Sequence, residues 1–429
     1  MKMKKIVGLA LITTLTLSGC SKKEESTEST GKIGGEITVV TDRTDEAAQK
    51  LFDKIEEDFK SKYPEVTDIK WESSSDYDTH ITTRMNTKEY GDVLFVPFSM
   101  VSTAENLSNY LLPLGDVKEL EKKYMDVTEA DYEGVAYALP TRLNQLGVIY
   151  NKVVLKEAGV NEIPTTMEEM EAALKKIKEN TDAVPYYTNY NSLLGIWGGA
   201  LTSFGGEQYR SEMLEAGTAF EEGQPIKEIM DFIYYVSSNG LIEEDPMTGD
   251  PAQSFKKLAD GEVAMIVAGS QEVPVVEGLN PDEDNIAMAP FPVKLDGENS
   301  IAYGADSIMG INKNSKNIET AKAFLEFFIS DESGYAAESF GASTNLDGFT
   351  DEQKELFKEN NLILTVPTET PEDDALYSKI ANEVGVGRLK DTLQKVVNIG
   401  LYPDQNESYE EFVKSLEDKW SKAVKNNAK

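Results

Sequence analysis

Residues 36–66 read EITVVTDRTDEAAQKLFDKIEEDFKSKYPEV, and two hydrophobic periods meet inside them. The run EITVVT (36–41) is β-branched, follows Gly34-Gly35 and ends in Thr-Asp-Arg-Thr, which reads as a strand leaving a turn. From about 44 to 62 the period changes to that of a helix. Ala48, Leu51, Phe52, Ile55 and Phe59 fall on one stripe, and Pro64 stands just past its end. Strands return at 66–72 (VTDIKWE) and 92–97 (DVLFVP). The continuous apolar run Val93–Val96 suits a strand covered on both faces. Strand, helix, strand, helix, strand at this spacing predicts an α/β sheet of the doubly wound kind.

The pattern continues outward. Strands are predicted at 147–150, 263–267 and 286–290, and helices at 167–180 and about 315–330 (ending KNIETAKAFLEFFIS). A last helix at 407–426 places Phe412, Val413, Leu416, Trp420 and Val424 on one face as core contacts.

A chain of 429 residues exceeds one ordinary domain and fits two lobes. With 40% hydrophobic and 28% charged residues, it is neither globally disordered nor a membrane-spanning bundle. Acidic residues outnumber basic ones 76 to 42, a formal charge of −34 that disfavours nucleic acid and anionic lipid as partners. One Cys and one His rule out a Cys/His zinc site, a disulfide framework and a catalytic pair of histidines.

That single cysteine has a telling position. Met-Lys-Met-Lys-Lys opens the chain, an apolar run of 12 follows at 6–17, and Leu17-Ser18-Gly19-Cys20 closes it. The run is too short to span a bilayer as a stable helix. Residues 1–19 therefore read as a signal peptide, and Cys20 as the lipidated first residue of the mature protein, because the spacing resembles a bacterial lipobox. Residues 20–35 carry the lipid and a polar tether, with no apolar residue after Cys20 until Ile33. A lipid anchor holds a soluble domain at a membrane without demanding anything of its core.

Catalytic motifs are missing from the sequence. There is no G-x-S-x-G elbow, P-loop or GxGxxG, and His80 sits in a polar helical segment, DYDTHITTRMN, where it reads as a surface residue. Asn345–Gly348 begins like a calcium loop but reaches Lys354 where a bidentate Glu is required. The run Asp282-Glu283-Asp284-Asn285 reads as a solvated turn. No catalytic residue, cofactor or metal is predicted.

The order of segments resembles the bacterial extracellular solute-binding proteins of family 1, the carbohydrate-import receptors related to maltose-binding protein. Besides residues 36–66, the resemblance rests on YGDVLFVP, YEGVAYALPTRLNQLGVIYNKVVLKEAGV, KKLADGEVAMIVAG, NIAMAPFPV and SKNIETAKAFLEFFISDESG, in that order behind a lipobox. It implies a two-lobe, periplasmic-binding-protein-like α/β fold with three hinge crossings near Arg142–Gln145, Asp306–Ile311 and Ser343–Thr350. One lobe would comprise 36–142 plus 307–345 and the other 143–306 plus 346–429, with the ligand in the cleft between them. The implied function is a monomeric, non-enzymatic receptor on the outer face of a cell membrane, that of a Gram-positive bacterium. It would capture a neutral oligosaccharide and pass it to the permease subunits of an ABC importer. A charged sugar, a glycan-active surface enzyme and a scaffolding lipoprotein are the alternative readings.

Ligands of open α/β sheets sit beyond the carboxyl ends of strands, so the loops there supply the candidate contacts. Asp42 and Arg43 follow the first strand, although Asp42 serves equally well as a helix cap. Phe98 and Ser99 follow the third strand, and Arg142 stands at the first crossing. Asn189, Tyr190 and Asn191 lie in a Tyr/Asn-rich turn, with Trp197 next, placed equally well for ligand or core. Ser270 and Gln271 end the Gly269 loop, where the family often has an aromatic residue. Tyr303 and Asp306 approach the second crossing, and Arg388 completes the set. Only five basic residues are Arg, and Arg43, Arg142 and Arg388 fall at predicted cleft positions, where a planar fork suits ligand oxygens.

Overall fold

A computed structural model describes residues 31–427 apart from 45, 75, 98–99, 101–103, 250, 281–284, 296, 340, 347–361 and 366–369. Cys20, Phe98, Ser99 and the acidic run at 282–284 lie outside the described residues. Thirteen strands are described: β1 (Gly35–Thr41), β2 (Val66–Ser73), β3 (Val93–Phe95), β4 (Gly115–Asp116), β5 (Asp131–Tyr132), β6 (Val135–Ala136), β7 (Ala138–Asn151), β8 (Val184–Tyr187), β9 (Val263–Gly269), β10 (Ile286–Ala289), β11 (Lys294–Leu295), β12 (Glu298–Ile311) and β13 (Leu362–Thr365). Ten share one sheet with the path β2-β1-β3-β12-β7-β9-β8, while β4–β6 form a small sheet of their own.

β1 lies parallel between β2 and β3, with Val39 opposite both Trp71 and Val93. The helix Glu46–Lys62 returns over this sheet and buries Leu51, Phe52, Ile55 and Phe59. The rings of Phe52 and Trp71 stack 4.1 Å apart at 5°. This first core is completed by a helix from much later in the chain, Ile318–Phe328, through Phe324 and Phe328. A second, larger core gathers Val148, Trp197, Phe232, Met265 and Phe291, and the terminal helix Tyr409–Asn427 seals it with Trp420. The apolar positions at helical spacing explain both closures.

Two fourteen-residue strands join the cores. β7 and β12 run antiparallel, from Tyr303 opposite Gln145 to Gly310 opposite Ala138. Ala138, Leu139, Ile308 and Met309 belong to the first core; Val148, Tyr150 and Ala302 belong to the second. The crossing strands therefore fuse the two lobes into one continuous sheet. The register of β12 shifts on both sides of Ser307, next to Asp306. A third segment runs alongside: Leu143 N–H donates to Ala342 O at 2.9 Å, and Ala342 N–H returns to Leu143 O at 2.7 Å.

The strand predicted at 147–150 is the end of a longer one beginning at Ala138, and β12 has no counterpart among the predicted elements. Among the described residues, no helix is long and apolar enough to cross a membrane.

Candidate functional site

A polar group is built where β7 and β12 pass from one core to the other, at the place the sequence reading expects a cleft. Arg142 and Asn144 are two residues apart on β7 and so share a face. Arg142 is 3% exposed. Its Nε donates to Asp306 Oδ2 at 2.8 Å and its Nη2 reaches the same oxygen at 2.7 Å. Its Nη1 donates to the carbonyl of Ser339, and the guanidinium lies 5.9 Å from the centre of the Tyr335 ring. Gly341 makes room for this side chain, since a Cβ there would stand 2.8 Å from Arg142 Cδ. Asn144 Nδ2 donates to the other oxygen of Asp306 at 2.7 Å.

Each lobe contributes a loop. From the first lobe, β1 ends at buried Thr41, whose hydroxyl accepts from Arg43 N–H at 3.1 Å and bends the chain. The Tyr77 hydroxyl sits between Val40 O and Phe95 O, at 3.1 and 2.5 Å, and fixes the ends of β1 and β3 side by side. Asp42 stays open to solvent, yet loss of water raises its carboxyl above the usual carboxylate range; Arg43 opposes that rise and the charge of Asp306 adds to it. From the second lobe, β9 ends in the turn Ser270–Glu272. Gln271 Nε2 donates to Glu272 Oε1 at 3.4 Å. Burial, then the charge of Asp306, push Glu272 up, while Gln271 and Arg142 pull it down. The Tyr335 hydroxyl is raised by burial and feels Arg142, Arg43, Asp306 and Asp42. These mutual influences place Asp42, Arg43, Arg142, Glu272, Asp306 and Tyr335 in one electrostatic neighbourhood.

Asn144 Oδ1, Gln271 Oε1 and the Tyr335 hydroxyl are buried with no hydrogen-bond partner among the described residues. An unpaired buried polar atom costs about 1–3 kcal/mol, so these three atoms gain from any partner that reaches them. Such a group can hold a polyhydroxylated molecule through hydrogen bonds from several sides.

The structure brings Asp42, Arg43, Arg142, Gln271 and Asp306 together and revises several expectations. Arg142, expected to reach a ligand, has its fork occupied by Asp306 and Ser339, so it acts as an internal strut. Trp197 is fully buried: its Nε1 donates to the Tyr186 hydroxyl at 2.9 Å, and its ring packs between Phe232 and Phe291. It belongs to the second core because its helix, WGGALTSFG, is apolar nearly all round. The Arg388 side chain is 76% exposed beside Asp391, at the start of the helix Leu389–Leu401, and no described contact joins it to the cleft group.

The turn at 189–191 is clasped to the second lobe. Tyr190 is buried; its hydroxyl accepts from Asn398 Nδ2 at 3.0 Å and its carbonyl from Gln394 Nε2 at 2.8 Å. Asn191 Nδ2 donates to Met247 O at 2.7 Å. Asn189 takes a left-handed φ of 49°, and both its side-chain polar atoms are buried without a described partner. Tyr303, like Leu364, packs against the cluster of Met125, Leu143 and Ala342, and burial pushes its hydroxyl up to about 12. Ser270 opens the turn that carries Gln271.

Sequence reasoning missed Asn144, Glu272 and Tyr335. Asn144 was within reach, because it alternates with Arg142 on a strand, and Glu272 adjoins a predicted contact. Tyr335 had no local signal, since it meets Arg142 only through the tertiary fold. His80 is exposed on the helix Tyr77–Met85, and no cluster of three or more potential metal ligands occurs among the described residues.

The structure is similar to a binding protein of an ABC transporter from Bifidobacterium animalis subsp. lactis in complex with mannobiose, with 26% identity, a TM-score of 0.75 and coverage of 94% of this chain and 97% of that one. It is also similar to a manno-oligosaccharide-specific solute-binding protein from the same organism in complex with mannotriose, at 28% identity, a TM-score of 0.74 and the same coverage. A diacetylchitobiose-binding protein of Streptomyces coelicolor is 26% identical over 210 residues, which is 47% of either chain, so the match spans about half that relative's length. The sequence profile of the bacterial extracellular solute-binding proteins matches residues 41–335, well over half of the chain. The chain belongs to the bacterial extracellular solute-binding proteins.

Proposed function

We propose that this protein is a receptor that captures an oligosaccharide between its two lobes and delivers it to an ABC importer. The observation that carries the reading is the set of buried, unpartnered polar atoms on Asn144, Gln271 and Tyr335, drawn from elements of both lobes. Oligosaccharides present many hydroxyls, which suit such a set, and relatives of similar fold carry mannobiose and mannotriose. The lobes are 36–142 with 307–345 and 143–306 with 346–429, and the ligand contacts are Asp42, Arg43, Asn144, Gln271, Tyr303 and Tyr335, with Asp306 holding Arg142 and Asn144 in place. The protein works as a monomer and performs no catalysis. Cys20 anchors it by lipid to the outer face of the membrane, where it meets the permease.

A thermal-shift screen across mannobiose, mannotriose, diacetylchitobiose and short peptides tests the reading. A ligand at 100 times its Kd adds roughly 2.7 kcal/mol of stability, a shift such a screen resolves. We expect a shift with at least one oligosaccharide and none with peptides; the reverse would overturn the reading. Anchoring has its own test. Cys20→Ala should leave an unprocessed precursor or release the protein from the membrane, and membrane retention with unchanged mass would count against the lipid.

A further inference from the structure

Charged groups of the two lobes face each other at a second place, beside the strand crossing. On the first lobe, Asp126 adjoins Val127 and Ala130, which are buried in the first core. Its backbone is left-handed, with φ 59° and ψ 33°, a region where few residues other than glycine rest without support. Bonds on either side supply that support. Met125 N–H donates to Thr344 O at 2.8 Å, and Asp126 Oδ2 accepts from Ala305 N–H at 2.8 Å. β12 shifts its register just past Ala305, so Asp126 is fastened to the crossing itself. On the second lobe, Arg210 stands in the first turn of the helix Tyr209–Ala216. Its Nη1 donates to Asp374 Oδ1 at 2.5 Å and its Nε to the Tyr209 hydroxyl at 3.0 Å. The guanidinium lies 5.2 and 5.7 Å from the centres of the Tyr209 and Tyr377 rings. Tyr209 is buried in the second core and Tyr377 packs against it, so that lobe carries the arginine. The Arg210 side chain is still 25% exposed, and its charge acts on Asp126.

We infer that Asp126 and Arg210 form an electrostatic latch that favours the closed arrangement of the lobes, opposed by Glu121 and Asp131 of the first lobe, which face Asp374 of the second. The latch concerns how the receptor closes, so it rests on the two-lobe reading, and neither of its residues is among the proposed ligand contacts. Five N–H donors let one guanidinium serve Asp374, the Tyr209 hydroxyl and a second carboxylate together. When the lobes part, Arg210 leaves with Asp374 and Tyr377 while Asp126 stays with the first core, and water and salt screen each charge from the other. Closing returns them to a place that has lost water, where their attraction is stronger. The supported turn fixes the Asp126 carboxylate before the arginine arrives, so little ordering is left for closure to do. The opposing charges are as specific. Asp374 repels both Glu121 and Asp131; Asp131 and Asp116 repel Glu121 as well, and Lys118 eases that repulsion. With attraction and repulsion across one gap, the lobes stand in a balance that a ligand can tip.

Titration calorimetry on the full chain with β-1,4-mannotriose tests the latch, beside small-angle scattering of the same proteins without sugar. Asp126→Asn removes the charge, keeps an acceptor for Ala305 and tolerates the left-handed backbone. Affinity should fall about fivefold in Asp126→Asn and in Arg210→Gln, and the double variant should bind no more weakly than the weaker of the two. The loss should shrink between about 0.05 and about 0.5 M NaCl, which a packing defect would not do. Glu121→Gln should tighten binding, and no gain would overturn its opposing role. Unchanged affinity in Asp126→Asn, losses that add in the double variant, or a loss indifferent to salt overturns the latch while leaving the receptor reading intact. Without sugar, at about 0.05 M NaCl, Asp126→Asn should show a larger radius of gyration than the native chain. If the native chain does not bind mannotriose, the receptor reading fails for that sugar and the radii alone decide: equal radii overturn the latch.

Discussion

Arg142 brings a permanent charge to a site 3% exposed, which is tolerable only where every donor finds a partner. Asp306, the Ser339 carbonyl and the face of Tyr335 supply those partners. Removing the guanidinium would leave the Asp306 carboxylate, 16% exposed, without its counter-charge. Arg142→Ala should therefore cost about 3–5 kcal/mol in urea denaturation. Arg142→Lys should recover only part of that, because one ammonium cannot reach both Asp306 and Ser339 with a planar fork. A loss below about 1 kcal/mol for the alanine variant would show that the pair contributes nothing net. The structure sets Asp42, Arg43 and Gln271 just past the ends of β1 and β9, where position alone nominates candidate contacts. The sequence did not reveal that Arg142 faces inward to Asp306, because the pairing depends on the register between β7 and β12. Of the two places open to Trp197 the structure takes the core, while Arg388, expected in the cleft, lies at the surface. An aromatic on a largely apolar helix is drawn to the core, and among the described residues the arginine at an exposed helix start lies beside Asp391 of its own turn.

At the scale of elements, the passage from β7 into the helix Lys152–Glu157 turns on one side chain. Asn151 Oδ1 accepts from Val153 and Val154 N–H at 3.0 and 3.2 Å, while its Nδ2 donates to Leu258 O at 2.9 Å. It caps one helix and ties it to the end of another, Pro251–Ala259. Asn151→Ala should cost about 2 kcal/mol, beyond an exposed cap, because the buried Leu258 carbonyl loses its donor too. Urea denaturation measures this, and a loss below about 0.5 kcal/mol would show that the cap is dispensable. Elements that keep one environment along their length were legible. The helix predicted at 167–180 is found as Met167–Asn180, and the predicted strand at 36–41 as Gly35–Thr41. β12 was not, since ENSIAYGADSIMGI interrupts its apolar pattern with Gly304 and Asp306. Those residues lie where the strand leaves one core for the other, so the cleft itself disguises the strand. β7 hides its first half behind Thr141, Arg142, Asn144 and Gln145 for the same reason.

For the molecule as a whole, burial acts mainly in one direction on its acids. Loss of water is the first cause that raises Asp42, Glu121, Asp126, Asp131, Glu171, Glu228, Glu243 and Glu272, whereas only Glu72 and Glu169 are lowered among the shifted carboxyls described. In the window between the ordinary carboxylate pKa and these raised values, the folded state holds more protons than the unfolded chain. Stability therefore falls as pH rises through that window and returns on acidification towards about 4.5. Relief of repulsion from a net charge of −34 has the same sign. Tm should be higher at pH 5.5 than at pH 7.5 in scanning calorimetry, and the opposite order would refute this balance. The unpartnered atoms of Asn144, Gln271 and Tyr335 add a further preference. With the cleft shut and empty, each costs about 1–3 kcal/mol, so an empty closed form is disfavoured against one in which water reaches them. We expect an oligosaccharide that donates to the same atoms to reverse that preference and so to couple its capture to movement of the lobes about β7, β12 and the segment beside Ala342. The radius of gyration from small-angle scattering should fall when saturating mannotriose is added. An unchanged radius, with binding verified by calorimetry in the same sample, would mean that the lobes hold one arrangement throughout and that the unpaired atoms do not drive them apart.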